Sequence, residues 1–437
     1  MGPHRRPASA GCVRSLAVTH SSAPGLALHP FRAVRPAVDS VRLGRLLCPP
    51  YDVIDPASRA ALLESEPDNA VGIILPQAPP GEDAYRLAAA TLEGWLTSGL
   101  WAVDAVAAIY VYEMRTADGA STRGLVGAVE LRDPADGVIL PHENTMAGPV
   151  SDRLALMTAT EANLEPIYLV YDGGGSASEV VRSIGATEPA AETTTPDGTH
   201  HTLWAVTDAV THQAIADDLR ERKALIADGH HRYATYRELQ ANYGAERGPG
   251  PWDRGLTLLV DSSEYGPQVH AIHRVVTGLT LDAALSRISG ATDTDEVRDA
   301  DDGLKRADEV DGFAAVLTDG ERFVMITERA GAPLAAGARA GEPAALAGLD
   351  VTVLHRVLVE DLWGLPDTVD VVGYAHSVEE AVADARSTGG FAVLLRPTPV
   401  AAVAAVAAAG GRMPRKSTLF TPKPASGLLM RRFADGS

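Results

Sequence analysis

The sequence predicts an α+β protein in which mixed sheets with flanking helices carry one strand–turn–helix phosphate site. Three observations lead there. Short β-branched and apolar runs bounded by turn residues recur at 109–114, 125–131, 166–171, 202–207, 256–261, 313–318, 322–327 and 391–396, the length of buried strands. Segments whose apolar residues fall three and four apart, the helical period, stand before and between them. At 224–239 the run ALIAD meets Gly229 and passes directly into an amphipathic stretch, giving strand, tight glycine turn and helix in succession.

In chain order, residues 1–25 are rich in Arg, Ser, Pro and Gly, lack an apolar run of signal-peptide length, and read as a disordered extension. A short apolar piece at 26–34 precedes CPPYDVI at 48–54, where two prolines, one a candidate for a cis bond, stiffen the entry to a helix from Pro56. A second helix is expected at 84–96. The runs 109–114 and 125–131, joined across Asp118-Gly119, suggest a hairpin. Residues 140–153 read as a polar loop leading into a helix from Leu154, and the Gly/Ser run at 173–178 as a second loop. A short helix at 214–222 precedes the strand–turn–helix. Beyond it, strand-like runs alternate with Asp/Ala-rich helices such as 283–288 and 378–385, and the low-complexity stretch 329–348 is the candidate linker.

A chain of 437 residues suggests two or three domains of about 150 residues each. The division expected is an extension at 1–25, an N-terminal α+β domain at 26–222, a central domain at 223–330 and a C-terminal α+β region at 331–437. Charge narrows the function: 38 Lys and Arg against 57 Asp and Glu give a net −19. Such a surface repels a phosphate backbone, so nucleic acid is an unlikely partner, whereas a small anion in a local basic pocket is compatible with it. The two cysteines, Cys12 and Cys48, are too few for a disulfide framework or a four-thiolate zinc site and point to a reducing, cytoplasmic setting. The sequence has no apolar run of about 18 residues, so no membrane span is expected.

Four segments carry candidate chemistry. In ADGHHRY at 227–233, Asp228, His230, His231 and Arg232 surround a helix start, where free N–H groups and the helix dipole attract phosphate and a guanidinium clamps it. In PHENT at 141–145, Glu143 is suited to general-base work or Mg²⁺ ligation, with His142 beside it and Arg153 further on as a phosphate contact. The HExxH zinc signature is not present there, since position 146 is Met. In MPRKSTLFTPKPASGLL at 413–429, Lys416, Ser417 and Thr418 resemble the Lys-Ser/Thr end of a P-loop without its glycines. With Arg415 and Lys423 they still form a basic cluster in an acidic chain. The fourth is Tyr51 and Asp52, presented by the rigid CPPYDVI turn. His273-Arg274 and His355-Arg356 sit among apolar residues and read as semi-buried structural groups.

The motifs at 49–54, 141–145, 227–233, 273–274, 349–355, 374–377 and 413–428 together resemble the bacterial family of unknown function DUF1015, from about Leu26 to the C-terminus. Members of that family are often labelled ParB-like. The DGHHR segment is similar to the phosphate-gripping G-x-x-R segment of the ParB and sulfiredoxin superfamily, which includes nucleotide-dependent kinases of free serine, and members are often encoded beside serine-biosynthesis enzymes. The resemblance implies phosphoryl transfer on a small metabolite such as serine or phosphoserine, with ATP or ADP and Mg²⁺ as candidate cofactors and Asp228 or Glu143 as the candidate Mg²⁺ ligand. Phosphate binding then falls to Arg232, Arg153, Lys416, Ser417, Thr418 and Lys423. Base or acid work falls to Glu143, Asp228, His230 or His231. The alternative is a nucleotide-binding regulator without turnover. For the enzyme reading to stand, Glu143, His231, Arg232 and Lys416 must line one cavity.

Overall fold

Strand Ile109–Arg115 buries both faces: Tyr110, Tyr112 and Met114 enter one core cluster while Ile109 and Val111 enter another, as the period of two requires. It pairs antiparallel with Ser121–Glu130 through the turn at Asp118-Gly119, confirming the expected hairpin. The computed structural model describes residues 25–331, 334 and 342–435. The expected extension at 1–25 therefore lies, apart from Gly25, outside the described residues, as does most of the low-complexity stretch between 331 and 342.

Around that hairpin grows a nine-stranded mixed sheet. Its order is Ile139–Leu140, Ala224–Asp228, Ile167–Tyr171, Arg254–Asp261, Ser121–Glu130, Ile109–Arg115, His200–Val206 and Ala191–Thr194, with Leu28–His29 added to Ser121–Glu130. A second, six-stranded antiparallel sheet runs Thr292–Val297, Phe323–Glu328, Ala314–Thr318, Phe391–Leu394, His273–Val276, Val372–Ala375. The fold is α+β. The first sheet takes strands from both sides of the expected 222/223 boundary and the second from both sides of 330/331, because strand pairing joins segments far apart in sequence.

One apolar cluster spans both sheets, from Tyr168 and Leu258 to Val276, Leu317 and Phe391, with Phe420 and Leu428 also part of it. Each sheet with the elements packed on it makes one lobe, and the segment from Leu419 onward laces the two together. Leu419–Thr421 pairs with Gln268–His270, Ser426 bridges to Cys48, Met430 to Val34, and Arg431–Arg432 pairs with Ala162–Asn163. A stretch near the chain's end is thereby brought against the strand–turn–helix some 190 residues earlier.

Three local expectations are corrected. The helix expected from Leu154 begins at Ala147 and runs to Thr160, so Asp152 and Arg153 are helical. Pro149 falls in its first turn, where its missing N–H has no intrahelical partner to lose. The Gly/Ser run at 173–178 is a loop only at its start, for Gly175–Ser183 is a helix. The prolines of CPPYDVI are trans; the cis bond among the described residues is Thr421-Pro422, and Tyr51–Val53 forms one 3₁₀ turn. Among the described residues, no helix is long and apolar enough to cross a membrane.

Candidate functional site

The strand Ala224–Asp228 enters buried, bulges between Ile226 and Asp228 against Ile167–Tyr171, and stops at Gly229. The bulge skips Ala227 and leaves Asp228 as the last paired residue, opposite Tyr168. Gly229 sits at φ +89°, where a side chain is strained, and a Cβ there would lie 3.1 Å from Arg232 Nε. The helix His230–Arg247 follows with no side-chain cap, so its first N–H groups are open to an anion. Asp228 does not cap it. Its carboxylate accepts from Lys423 Nζ at 2.7 Å and Arg232 Nη2 at 2.5 Å.

These residues open onto a cleft of about 930 Å³ between the lobes. Tyr51, Asp52, Glu143, Asp228, His230, His231, Arg232, Lys416, Thr418 and Lys423 all line it. The four residues required to share a cavity therefore do so. Ser417, His142 and Arg153 are not among the lining residues. Ser417 is buried and its hydroxyl donates to the Pro414 carbonyl at 2.5 Å. His142 lies beneath the wall, its Nε2 at 3.0 Å from Thr418 Oγ1 and its ring edge-on to His230. Arg153 supports the floor: it binds Asp152 at 2.6 Å and the Ile74 carbonyl at 2.5 Å, and its guanidinium lies 4.3 Å from the centre of the Tyr51 ring.

Three of the four carboxylates that line the cleft have different environments. Burial alone would raise the pKa of Asp228, but Lys423 and Arg232 outweigh it and hold it down at about 2. Asp228 is thus a fixed negative charge. Glu143 is the opposite case: burial raises its pKa, against the Lys416 backbone N–H, which donates to its Oε1 at 2.9 Å. Asp52 pairs with Lys423 at 3.2 Å. Lys423 therefore bridges Asp52 and Asp228; burial works against its charge, and the two carboxylates raise its pKa nonetheless.

The histidines are kept neutral. Burial pushes His142 down to about 4 and His230 well below its ordinary value. His230 Nε2 accepts the His142 N–H at 3.3 Å, which places its proton on Nδ1, 3.8 Å from Glu143 Oε2. His231 Nε2 accepts the Met146 N–H at 3.1 Å, and burial lowers its pKa too. Both rings therefore organise the 142–146 loop with nitrogens a nucleophile would need free.

Arg232 is 3 % exposed, and its Nη1 donates to the Pro166 carbonyl at 2.5 Å. It forms the floor of the cleft and orients Asp228. Lys416, at φ +54°, and Arg415 contribute the cations at the other wall. Sequence reasoning gave no role to Tyr374 and His376, which line the cleft from the second sheet's edge, nor to Glu165, buried and accepting from the Tyr51 N–H and the Ser426 hydroxyl. The motif YAHS was the available signal for the first two; a buried lone glutamate gives none. Ile272, Val369, Leu419 and Phe420 supply apolar wall. Among the described residues, no group of three or more His, Cys, Asp or Glu could hold a metal ion.

The chain belongs to the family described as a protein of unknown function (DUF1015), whose model matches residues 28–352. The YAHS and MPRKST motifs lie beyond the matched residues. No curated protein matches the chain. Among solved structures, a free serine kinase in complex with AMP is 16% identical, covering 65% of this chain and 83% of its own, with a TM-score of 0.33. A conserved hypothetical protein from Pyrococcus furiosus is 18% identical over 68% of this chain and 94% of its own, at 0.33. SbnI with a C-terminal truncation from Staphylococcus aureus is 10% identical over 70% and 86%, at 0.33. Likenesses at this level carry no argument about the site's chemistry.

Proposed function

We propose that the cleft binds a nucleotide or another small phosphate ester and that the protein transfers a phosphoryl group to or from a small metabolite, serine or phosphoserine being the first to test. One observation carries the reading: the uncapped start of the His230–Arg247 helix opens into a cleft that also holds Lys416, Arg415 and a half-buried Glu143 of raised pKa. Backbone N–H groups and the helix dipole bind phosphate oxygens without titrating. Lys416 stands where negative charge would grow on the transferred group.

The acid–base role divides by environment. Asp228, held ionised between two cations, is too weak a base to take a proton near neutral pH. Glu143 is the group poised to take the proton of an attacking hydroxyl, with His230 Nδ1–H behind it. In the kinase direction the hydroxyl oxygen bonds to the terminal phosphorus, its proton passes to Glu143, and the bond from that phosphorus to the bridging oxygen breaks, so that ADP leaves when ATP is the donor and AMP when ADP is. Were Mg²⁺ used, Glu143 would be the carboxylate to hold it and the ion would supply neutralisation of phosphate charge; among the described residues no group of three or more His, Cys, Asp or Glu could hold a metal ion.

A second reading is favoured by the pairing of Lys423 with both Asp52 and Asp228, which leaves less free charge for a transition state. It is nucleotide binding without turnover. Purified protein incubated with ATP or ADP plus serine, and separately with phosphoserine, and followed by mass spectrometry decides between them. The enzyme reading expects a phosphorylated or dephosphorylated product that disappears in Glu143→Gln. Bound nucleotide without product supports the regulator; neither bound nucleotide nor product overturns both.

A further inference from the structure

Lys416 adopts a left-handed backbone conformation, φ +54°, that a lysine enters only under constraint. The constraint comes from the other lobe. Arg274, on strand His273–Val276, is fully buried, and its Nη2 donates to the carbonyls of Arg415 at 3.2 Å and Lys416 at 3.0 Å. Its Nη1 donates to the Ile272 carbonyl at 2.7 Å, and its face lies 4.7 Å from the centre of the Tyr374 ring. The remaining donor, Nε, reaches His355 Nε2 at 2.9 Å. His355, itself buried, donates from Nδ1 to Asp367 at 2.9 Å, which fixes the tautomer that leaves Nε2 free to accept.

We infer that Arg274 is a positioning residue, a planar fork oriented by His355 and Asp367 that pins the Arg415–Lys416 turn so that the Lys416 side chain and N–H face Glu143 and the cleft. A guanidinium suits the task because its donors are fixed in one plane, so one group grips two successive carbonyls while its Nε is held from behind; an ammonium cannot meet all three. A buried cation also needs its charge answered, and Asp367 does so through the imidazole. The pinning is a property of the turn and holds without any ligand. Its consequence for phosphate binding rests on the reading proposed above.

The test compares wild type with Arg274→Lys, Arg274→Met and His355→Ala. It uses hydrogen–deuterium exchange of residues 413–418 in the free full-length protein, then ATP titration by calorimetry. Losing charge-assisted hydrogen bonds to the turn speeds exchange there about tenfold or more in both Arg274 variants, with a smaller effect in His355→Ala. Lysine fails to restore protection, as a fork requires and a mere positive charge would not. Where wild type binds ATP, affinity falls in the same order while thermal midpoints of Arg274→Lys stay close to wild type. Unchanged exchange at 413–418, or full rescue by lysine, overturns the inference whatever the ATP result. Wild-type protein that binds neither ATP, ADP nor phosphoserine overturns the functional reading and leaves the exchange result to judge the turn. Should Arg274→Met not fold, Arg274→Lys and His355→Ala carry the same comparison.

Discussion

Replacing Asp228 by Asn tests whether the carboxylate organises the cleft. In the folded chain Asp228 accepts from Lys423 at 2.7 Å and Arg232 at 2.5 Å, with 14% of its side chain exposed. Their charges hold its pKa near 2 against an ordinary 3.8, although burial alone would raise it, and that depression is worth about 2 kcal/mol of stability. Asn removes this and takes one carboxylate from two buried cations, a loss of about 3–5 kcal/mol where nothing else answers them. Lys423 keeps Asp52 at 3.2 Å and Arg232 keeps the Pro166 carbonyl, so about 3 kcal/mol is expected at neutral pH. Because the folded pKa lies below the unfolded one, the wild-type advantage is complete above about pH 4 and disappears as pH falls through about 2. Urea unfolding followed by tryptophan fluorescence from pH 7 to pH 3 measures it. A gap under about 1 kcal/mol at pH 7, or one that does not narrow as pH falls below 4, refutes the reasoning. Adding Lys423→Met to Asp228→Asn is expected to recover part of the loss, since it removes one of the stranded charges.

Gly229→Ala forces a side chain to φ +89° and to within 3.1 Å of Arg232 Nε; a cost of about 1–2 kcal/mol and a thermal midpoint lower by a few degrees are expected, together with weaker ATP binding by calorimetry. Glu143→Gln removes the base but not the anion site, so transfer measured by ADP release falls about 10²–10⁴-fold while ATP binding remains. In the wild type, burial raises the Glu143 pKa, so activity is lost on acidification at a pH above the ordinary carboxylate value of 4.5. The rising limb of the pH–rate profile is expected to vanish in the Gln variant.

How far the sequence reached depends on the range of the forces involved. Ala224–Asp228, Gly229 and the helix after it were legible because apolar period, a glycine and a helical face are local signals. The start at Ala147 was obscured by Gly148 and Pro149, residues that read as loop yet are harmless in a first helical turn. Thr292–Val297 reads TDTDEV with no alternation, because an edge strand presents most of its side chains to water. The site divided likewise. Glu143, His231, Arg232 and Lys416 were found by residue type, and the cleft unites them. The partners that Lys423 and Arg153 hold were not legible. Lys423, expected to grip phosphate, meets a carboxylate 195 residues away, and Arg153, also expected to contact phosphate, stacks on Tyr51 from inside a helix. Such partners are set by tertiary packing, which has no local signature.

The central claim is that phosphate is held at the start of the His230–Arg247 helix. Hydrogen–deuterium exchange with and without saturating ATP tests it most directly. Slowed exchange concentrated at residues 229–233 and 415–418 is the predicted result. Exchange unchanged there, or protection confined to surfaces away from the cleft, contradicts it.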